Sequence, residues 1–315
     1  MHRCRSERAD VYMNGVLIQD TFAEAFPMRA ARIVITAASP RWAREAALKL
    51  TGFATSVIAC KCEAAIEREV APSETPDGRP GYSALLFAMD TESLGKRLIE
   101  RIGQTVLTCP TANCFDGLPG ADRRLTSGRA LRVFGDGFQA SKVVGGERYW
   151  RVPVMDGECL LQESFGAVKG VGGGNFLILG ADSASTLAAA EASVAAIATI
   201  PGVILPFPGG IARSGSKIGS RRYKSLVAST NDAYCPTLRP LTDSALPDDV
   251  HSVLEIVLDS LDEDSMRRAM RAGVAAACLR GVRVISAGNY GGKLGPHHFH
   301  LREIMGESAD AEART

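Results

Sequence analysis

The 315-residue sequence has little net charge and no long apolar run. Its 36 lysines and arginines nearly balance 35 aspartates and glutamates, which argues against a nucleic-acid-binding protein or an acidic scaffold. No apolar run reaches the roughly 18 residues that a membrane helix needs, so we expect no membrane partner. Residues 1–12 lack the apolar core of a secretory signal, and we therefore expect a cytoplasmic protein.

The sequence also lacks the common signatures of nucleotide and metal sites. No G-x-G-x-x-G turn joins a strand to a helix, and no P-loop, H-E-x-x-H or G-x-S-x-G motif occurs. Eight cysteines include a C-x-C and a C-x4-C, but no histidine stands at ligand spacing, so reduced and buried thiols are expected. His298 and His300 would share one face of a strand, which leaves a metal pair open, although a plain terminal strand explains them equally well. We expect neither a metal nor a prosthetic group.

Four segments repeat one pattern: an apolar strand, an alanine-rich helix, a glycine and a second short strand. The helical residues recur with a period near 3.6, and each glycine stands where a helix C-cap belongs. The predicted helices are 42–50, 92–102, 185–200 and 263–279. The strands before them are 32–36, 82–89, 175–179 and 253–258, and those after them are 56–60, 105–109, 203–206 and 283–286.

This duplication predicts an α+β protein built of two ferredoxin-like (split βαβ) lobes. We place the N-terminal lobe at 13–160 and the C-terminal lobe at 161–305. A disordered leader at 1–12 and a polar tail at 306–315 are expected outside them. The turn-rich stretch 133–154 predicts added antiparallel strands.

The segment 206–238 has more glycine, basic and polar residues than a simple connection between two elements needs. Compact domains join their elements with about 4–6 residues, and longer structured loops commonly bind ligands. The glycine-rich loop 289–295 could likewise hold an oxyanion on its amides, although tight turns explain its glycines about as well. From these two segments we select as substrate-binding candidates Gly209, Gly210, Ser216, Lys217, Ser229, Thr230, Asn231, Asp232, Asn289 and Lys293.

Glu255 is the acid that we select as a catalytic candidate. Strand alternation places it with Val253 and Val257 on one face. An acid among apolar neighbours loses hydration, which raises its pKa and suits it to proton transfer near neutral pH. Two other interpretations stay open: an edge-strand glutamate that faces water, and one that pairs with an arginine.

Many long stretches of the chain, in order, are similar to one enzyme family. They are NGVLIQDTFAEAF (14–26), ITAAS (35–39), TGFATSVI (51–58), ETPDGRPG (74–81), FGDGFQ (134–139), SFGAVKGVGGGNF (164–176), PFPGGIARSGSKIGS (206–220), ASTNDAYCPTL (228–238) and ISAGNYGGKLG (285–295). Over about residues 13–303 the chain resembles the formylmethanofuran:tetrahydromethanopterin formyltransferases. Its near-neutral composition resembles that of the bacterial subunit of the formyltransferase/hydrolase complex.

The resemblance implies reversible formyl transfer between the amine of methanofuran and N5 of tetrahydromethanopterin, in formaldehyde oxidation or methanogenesis. Both coenzymes are co-substrates, and no prosthetic group takes part. It also implies a homodimer or homotetramer with its cleft at a subunit interface, and possible partner subunits of the larger complex. In the family a glutamate corresponding to Glu255 lies beside the formyl group, which makes Glu255 the expected proton shuttle. Acidic coenzyme tails are expected to bind Arg213, Lys217, Lys224 and Lys293, unless these form a solvated basic face.

Two other classes of function stay open. The chain could be a non-catalytic scaffold subunit that carries a coenzyme, or a phosphate- or nucleotide-binding module built on the glycine loops. The missing strand–glycine–helix signature argues against the module. The sequence leaves open the physiological direction, the pterin variant, the oligomer size and the groups that bind the oxyanion.

Overall fold

In a computed structural model, which describes residues 11–312, two long strands frame the fold. They are β3 (Phe22–Thr36) and β11 (Phe165–Gly180). Residues 168–172 of β11 pair antiparallel with residues 26–30 of β3. Each strand continues past this contact in the opposite direction, so each becomes the first strand of its own α+β unit.

The C-terminal unit has a ferredoxin-like topology. After β11 come α5 (Ser183–Ile197), β12 (Val203–Ile204), β15 (Ser252–Ser260), α6 (Glu263–Ala277) and β16 (Val282–Ser286). Pairing gives the strand order β16-β11-β15-β12, with all neighbours antiparallel. Each helix therefore connects two strands that enclose a third, which is the predicted split βαβ arrangement.

The N-terminal unit repeats this topology. After β3 come α1 (Pro40–Thr51), β4 (Glu63–Val70), β5 (Gly81–Ala88), α3 (Thr91–Arg101) and β6 (Asn113–Asp116). The strand order is β6-β3-β5-β4, again antiparallel throughout. The prediction of two ferredoxin-like units is thus confirmed.

Two of the predicted short strands are wrong, because both segments are helical. In the predicted strand 56–60, the Ser56 side chain accepts a hydrogen bond of 3.3 Å from the amide of Ile58 and starts α2 (Val57–Cys60). In the predicted strand 105–109, α3 does not stop but continues as a short π-helix over Ile102–Val106, and residues 107–108 form a turn. The second strands of the N-terminal unit are β4 and β6, which lie further along the chain.

The predicted antiparallel additions within 133–154 are confirmed. Strands β8 (Ala140–Val144) and β9 (Glu147–Val154) pair antiparallel with each other. Strand β10 (Gly157–Gln162) lies antiparallel to β9 and parallel to β6, so it joins these strands to the main sheet. The remaining elements are β1 (Val11–Met13), β2 (Val16–Ile18), β7 (Arg123–Leu125), α4 (Ser127–Leu131), β13 (Ser216–Ile218), β14 (Ala228–Thr230), β17 (His297–His300) and α7 (Leu301–Glu312).

Several of these elements bear on the predicted boundaries. Residues 1–10 of the predicted leader lie outside the described part of the chain, while β1 starts at Val11 and α7 enters the predicted tail. Val16 and Ile18 pack into the core of the C-terminal unit. The lobe boundaries themselves stay predictions. No helix within residues 11–312 is long and apolar enough to cross a membrane.

Three helices in the two units begin in the same way. An aspartate N-cap accepts a hydrogen bond from the amide of the serine three residues later, which satisfies one of the free amides of the first turn. The pairs are Asp90–Ser93 in α3, Asp182–Ser185 in α5 and Asp262–Ser265 in α6, at 2.8, 2.9 and 2.7 Å. The shared N-cap pattern is therefore a second, local indication of the internal duplication, in addition to the shared topology.

Candidate active site

Glu255 lies in the middle of β15 with backbone on both sides. On one side it pairs with Leu177 of β11. On the other side its amide and carbonyl exchange hydrogen bonds of 2.9 and 2.8 Å with Ala212. The edge-strand interpretation of this glutamate is therefore wrong.

The Glu255 side chain points away from the helices. Its strand neighbours Ile256 and Leu258 are buried in the core that holds α5 and α6, so alternation directs Glu255 to the opposite surface of the sheet. We call this surface the helix-free face, and its apolar residues are Leu177, Leu179, Val253 and Val284.

The Glu255 carboxyl group is half-buried and has no ion-pair or hydrogen-bond partner among residues 11–312. Burial raises its pKa to about 7. The arginine-paired interpretation is thus also wrong. A carboxyl group that titrates near neutral pH can both accept and return a proton during a reaction.

The segment 206–250 covers part of the helix-free face. Tyr234, Leu246 and Val250 pack against its apolar residues. This cover explains how an acid on a sheet surface without helices still loses hydration. The long connection between β12 and β15 therefore forms one wall of the site around Glu255.

The two predicted glycines have different roles at the start of this segment. Both have left-handed backbone, with φ of +62° at Gly209 and +78° at Gly210. A Cβ at Gly210 would lie 2.9 Å from side-chain atoms of Val194 and Leu205, whereas a Cβ at Gly209 would meet open space. Packing requires Gly210, while exposed Gly209 is free to approach a ligand.

Four of the predicted binding residues meet in one hairpin. Strands β13 and β14 pair Ser216 with Thr230 and Lys217 with Ser229. Thr230 also contacts the thiol of Cys235 through its hydroxyl at 3.3 Å. The hairpin thus brings Ser216 and Lys217 next to Ser229 and Thr230.

Lys217 and Asp232, both predicted to bind substrate, form an ion pair with each other. The Lys217 ammonium donates a hydrogen bond to the Asp232 carboxylate, and Arg221 lies 3.2 Å from the other oxygen. The hydrogen bond from Lys217 holds the pKa of the Asp232 carboxyl below its ordinary value. Asn231 stands next to this pair, and its amide donates to the carbonyl of Gly215 at 3.3 Å. These contacts fix the shape of the loop.

Other predicted anchors carry free charge. Arg213, Lys224 and Lys293 are exposed, and none forms an ion pair within the described residues. They differ in this respect from Lys217. Free cations on exposed loops are available to acidic ligand groups.

The side chain of Asn289 is occupied by the protein itself. Its amide nitrogen donates to the hydroxyl of Thr21 and the carbonyl of Phe22, both at 3.1 Å, and its oxygen accepts from the amide of Gly291 at 3.0 Å. Asn289 therefore shapes the loop 289–295.

The sequence analysis missed Glu24, which organises the same loop. The Glu24 side chain is buried, and its two oxygens accept four hydrogen bonds from amides of the loop. Asn175 fixes the residue before the loop by accepting from the amide of Gly288 at 2.6 Å and donating to its carbonyl at 3.1 Å. The signal available in the sequence was an acid between Ala23 and Ala25 in a strand.

Tyr290 connects this loop electrostatically to Glu255. Burial, and then the nearby charges of Glu255 and Glu24, raise the pKa of the Tyr290 phenol. The phenol therefore stays protonated as a hydrogen-bond donor. Ser286, three residues before the loop 289–295, pairs with Leu177, and Leu177 also pairs with Glu255, so the loop starts close to this site.

The C-terminal histidines pack against an aromatic ring. The rings of His298 and His300 lie 4.9 and 5.1 Å from that of Phe22, and Nε2 of His298 lies 3.0 Å from the carbonyl of Gly295. No group of three potential metal ligands occurs within residues 11–312. A cavity of about 680 Å³ lined by residues such as Leu107, Phe134 and Met155 lies on the N-terminal unit and includes none of the Glu255 site.

Comparison with known proteins identifies the family of this chain. A family model described as "Formylmethanofuran-tetrahydromethanopterin formyltransferase" matches residues 11–154, and one described as "FTR, proximal lobe" matches residues 157–304. The chain belongs to the formylmethanofuran-tetrahydromethanopterin formyltransferase family.

Relatives in this formyltransferase family are similar over nearly their whole length. Proteins of that name from Methylobacillus flagellatus and Methylococcus capsulatus are 59% and 60% identical, with 93% of this chain and 99% of each relative covered. A protein named as a component of the formyltransferase/hydrolase complex of Methylorubrum extorquens is 50% identical, with 96% and 99% covered.

Two solved structures agree with the fold. The formyltransferase of Methanosarcina barkeri gives a TM-score of 0.89 at 49% identity, covering 93% of this chain and all of that one. The formyltransferase/hydrolase complex of Methylorubrum extorquens with methylofuran gives 0.91 at 49% identity, covering 94% and 99%.

Proposed function

We propose that this chain is an N-formyltransferase that moves a formyl group reversibly between the amine of methanofuran and N5 of tetrahydromethanopterin. Membership of the formyltransferase family supports this activity. The observation that supports it in the fold is the unpaired Glu255 carboxyl, whose burial raises its pKa to about 7 beneath a covering loop. The chemistry needs such a group.

The reaction moves one proton between two nitrogens. The N5 amine attacks the formyl carbon, a C–N bond forms, and the carbonyl electron pair moves onto oxygen. Glu255 as carboxylate accepts the proton from N5. It then donates this proton to the methanofuran nitrogen as the tetrahedral intermediate collapses and the old C–N bond breaks. General acid–base help of this kind contributes roughly 10²–10⁴-fold in rate.

The basic loops would bind the acidic tails of the coenzymes. Arg213, Lys224 and Lys293 are exposed and carry no ion pair within the described residues, so we assign them this role. Lys217 is bound to Asp232, and we assign this pair to loop shape. Gly209 and Ser216 are exposed on the same wall and are proposed to contact substrate directly.

We also propose the assembly and location of the enzyme. A relative named as a component of a formyltransferase/hydrolase complex supports membership of such a complex. The predicted homodimer or homotetramer is a separate proposal, which rests on the family resemblance. Seven cysteines within residues 11–312 are free thiols, which suits the reducing cytoplasm.

The direct test is formyl exchange by the purified chain with both coenzymes, followed by absorbance. We expect transfer in both directions without added metal or partner proteins. A chain that binds both coenzymes but transfers nothing would support the alternative, a non-catalytic scaffold subunit.

A further inference from the structure

Strand β3 carries a cation on the side of the sheet that packs against helices. Ala23 and Ala25 of this strand pack into the core that holds α5 and α6, and Ala31 and Ile33 pack into the core that holds α1 and α3. By strand alternation Arg29 lies on the same side, between the two sets. A charged residue therefore stands where the helices of one unit end and those of the other begin.

Strand β11 repeats this pattern with Lys169. Ala167 packs into the core of the N-terminal unit and Val171 into the core of the C-terminal unit. Lys169 lies between them on the same side of β11. Both long strands thus interrupt their apolar, helix-facing side with one cation, at the place where they cross from unit to unit.

The two cations are direct neighbours. Lys169 pairs with Arg29 in the antiparallel register of β11 and β3. Residues in such a pair have Cβ atoms about 4.5–5.5 Å apart, and like charges there are destabilising. Neither side chain forms an ion pair or a hydrogen bond within residues 11–312. The crossing therefore holds two positive charges side by side without a counter-charge.

An open cavity of about 520 Å³ lies over this pair, between the helices of the two units. Arg29 and Lys169 line it, together with Met89 before α3 and Leu261 before α6. Arg29 is half-buried and Lys169 is exposed. Both charged groups are therefore accessible to a ligand in the cavity.

Two acids also line the cavity, and each has a partner of its own. The Asp262 carboxylate accepts from the amide and the hydroxyl of Ser265, at 2.7 and 3.0 Å. Oε1 of Glu263 lies 2.9 Å from Nδ1 of His297. The acids are thus engaged within the protein, whereas the two cations are not. The cavity is therefore better suited to an anion than to a cation.

We propose that this cavity binds a doubly charged phosphoryl group, which Arg29 and Lys169 hold together. A guanidinium group binds phosphate oxygens through two parallel hydrogen bonds, and an ammonium group adds a point charge. A phosphate monoester carries about −1.5 to −2 charges at pH 7, so one such group balances both cations, whereas a single carboxylate balances one.

This site lies on the opposite side of the sheet from Glu255. Glu255 points to the helix-free face, while Arg29 and Lys169 point to the side of the helices. The site therefore goes beyond the proposed function and does not depend on it. Since β3 starts one unit and β11 the other, an anion bound here would bridge the two units.

The test is calorimetric titration of the full chain with inorganic phosphate and, separately, with glycerol phosphate, at constant ionic strength set by chloride. We expect saturable binding by the parent. Lys169→Gln and Arg29→Gln should each raise Kd by about 10–100-fold, the effect of losing one charge-assisted hydrogen bond. The probe that binds more tightly shows whether the site takes the free ion or a phosphorylated small molecule.

Lys142→Gln is the matched control. Lys142 lies on β8 opposite Tyr149, is exposed and forms no ion pair within the described residues. Its replacement removes the same charge as Lys169→Gln but leaves the cavity intact. Kd should therefore stay as in the parent.

Stability without phosphate gives a second measurement. Because Lys169→Gln relieves the repulsion from Arg29, its melting temperature in phosphate-free buffer should exceed that of the parent by about 1–2 °C. Added phosphate should shrink or reverse this difference, since it binds the folded parent and not the variant. Phosphate also stabilises proteins in general by exclusion from their surface, so the difference between parent and variant is the quantity to compare.

Three results would overturn the site. The first is a parent that binds neither probe up to millimolar concentration, and the second is equal binding by the parent, Lys169→Gln and Arg29→Gln. The third is an equal loss of binding in Lys142→Gln, which would show that overall charge attracts the anion. Each of these results leaves the proposed function untouched, since formyl exchange is measured separately.

Discussion

Glu67 and Glu255 are strand glutamates on the helix-free sides of the two units. Glu67 is ion-paired and its pKa is lowered, whereas Glu255 is unpaired and its pKa is raised. Glu67 accepts a bidentate ion pair from Arg32 at 2.6 and 2.7 Å, and further hydrogen bonds from Ser83 and the amide of Gly202. Burial raises the pKa of Glu67, but the Arg32 ion pair, together with the hydrogen bonds from Gly202 and Ser83, lowers the pKa overall. Glu255 has no such partner, and burial raises its pKa to about 7.

What covers each face explains the difference. In the N-terminal unit, Leu85 and Phe87 pack directly against Ile204 and Leu261 of the C-terminal unit, so a charge there needs a partner. The face around Glu255 is covered by a loop and stays partly open to ligands. The same topology therefore gives a structural acid in the N-terminal unit and a reactive acid in the C-terminal unit. The reason is that the face around Glu67 packs against the other unit, while the face around Glu255 does not.

The largest expected effect concerns turnover. Glu255→Gln keeps the size and burial of the side chain but cannot carry a proton between nitrogens, so kcat should fall by roughly 10²–10⁴-fold. Steady-state formyl exchange measures this, and coenzyme binding should be retained. Glu67→Gln is the matched variant in the other unit and should keep the turnover of the parent. Full turnover in Glu255→Gln would show that the Glu255 carboxyl group does not carry the proton, and the contrast with Glu67 would then fail.

The next effect concerns folding of the N-terminal unit. Arg32→Met leaves the Glu67 charge buried without its cation, which should lower the free energy of unfolding by about 3–5 kcal/mol. Urea unfolding at neutral pH measures the loss. The double variant Arg32→Met/Glu67→Leu removes both charges and should recover most of it. A double variant as unstable as the single one would show that packing, not charge, matters here.

A third effect is the pH dependence of stability at Glu255. Its pKa is raised to about 7 in the folded state, so its contribution is present below the unfolded pKa and is lost as the pH rises through about 7. Glu255→Gln does not titrate. Its unfolding free energy relative to the parent should therefore rise between pH 5 and pH 9, by at most about 3 kcal/mol. A difference that is constant with pH would mean that the carboxyl group is hydrated.

The sequence predicts the topology well because helical periodicity repeats in all four segments. The predicted glycine C-cap is confirmed only for Gly52 of α1, since α3, α5 and α6 have Ile102, Ala198 and Cys278 at that position. It fails at 56–60 and 105–109 because short apolar runs with β-branched residues do not distinguish a strand from a turn of helix. There a serine N-cap and a π-helix decide the structure.

The site is predictable only in part. Glu255 follows from an acid alternating with apolar residues, but the pairing of Lys217 with Asp232 depends on a hairpin register that no pattern gives. The role of Glu24 rests on contacts with a loop more than 260 residues away, and a single sequence does not contain that information. Sequence patterns therefore identify the reactive acid more easily than the residues that shape the loops around it.

The smallest expected effect is on the pH dependence of stability, and it concerns two buried acids at the contact between the units. Glu63 of β4 and Asp259 of β15 are buried carboxyl groups, and neither forms an ion pair within the described residues. Burial raises both pKa values, and for Asp259 the charge of Glu63 raises it further. Because the folded pKa values are raised, the pair contributes stability below the unfolded values and loses it as the pH rises through the folded ones. Asp259→Asn removes one charge while its oxygen still accepts from Gly173, so it should be more stable than the parent at pH 9 by about 1–2 kcal/mol and similar at pH 5. Urea unfolding at the two pH values measures this, with Glu63→Gln as the reciprocal variant. If neither variant gains stability at high pH, the two carboxyl groups do not share a proton, and the units meet through neutral contacts alone.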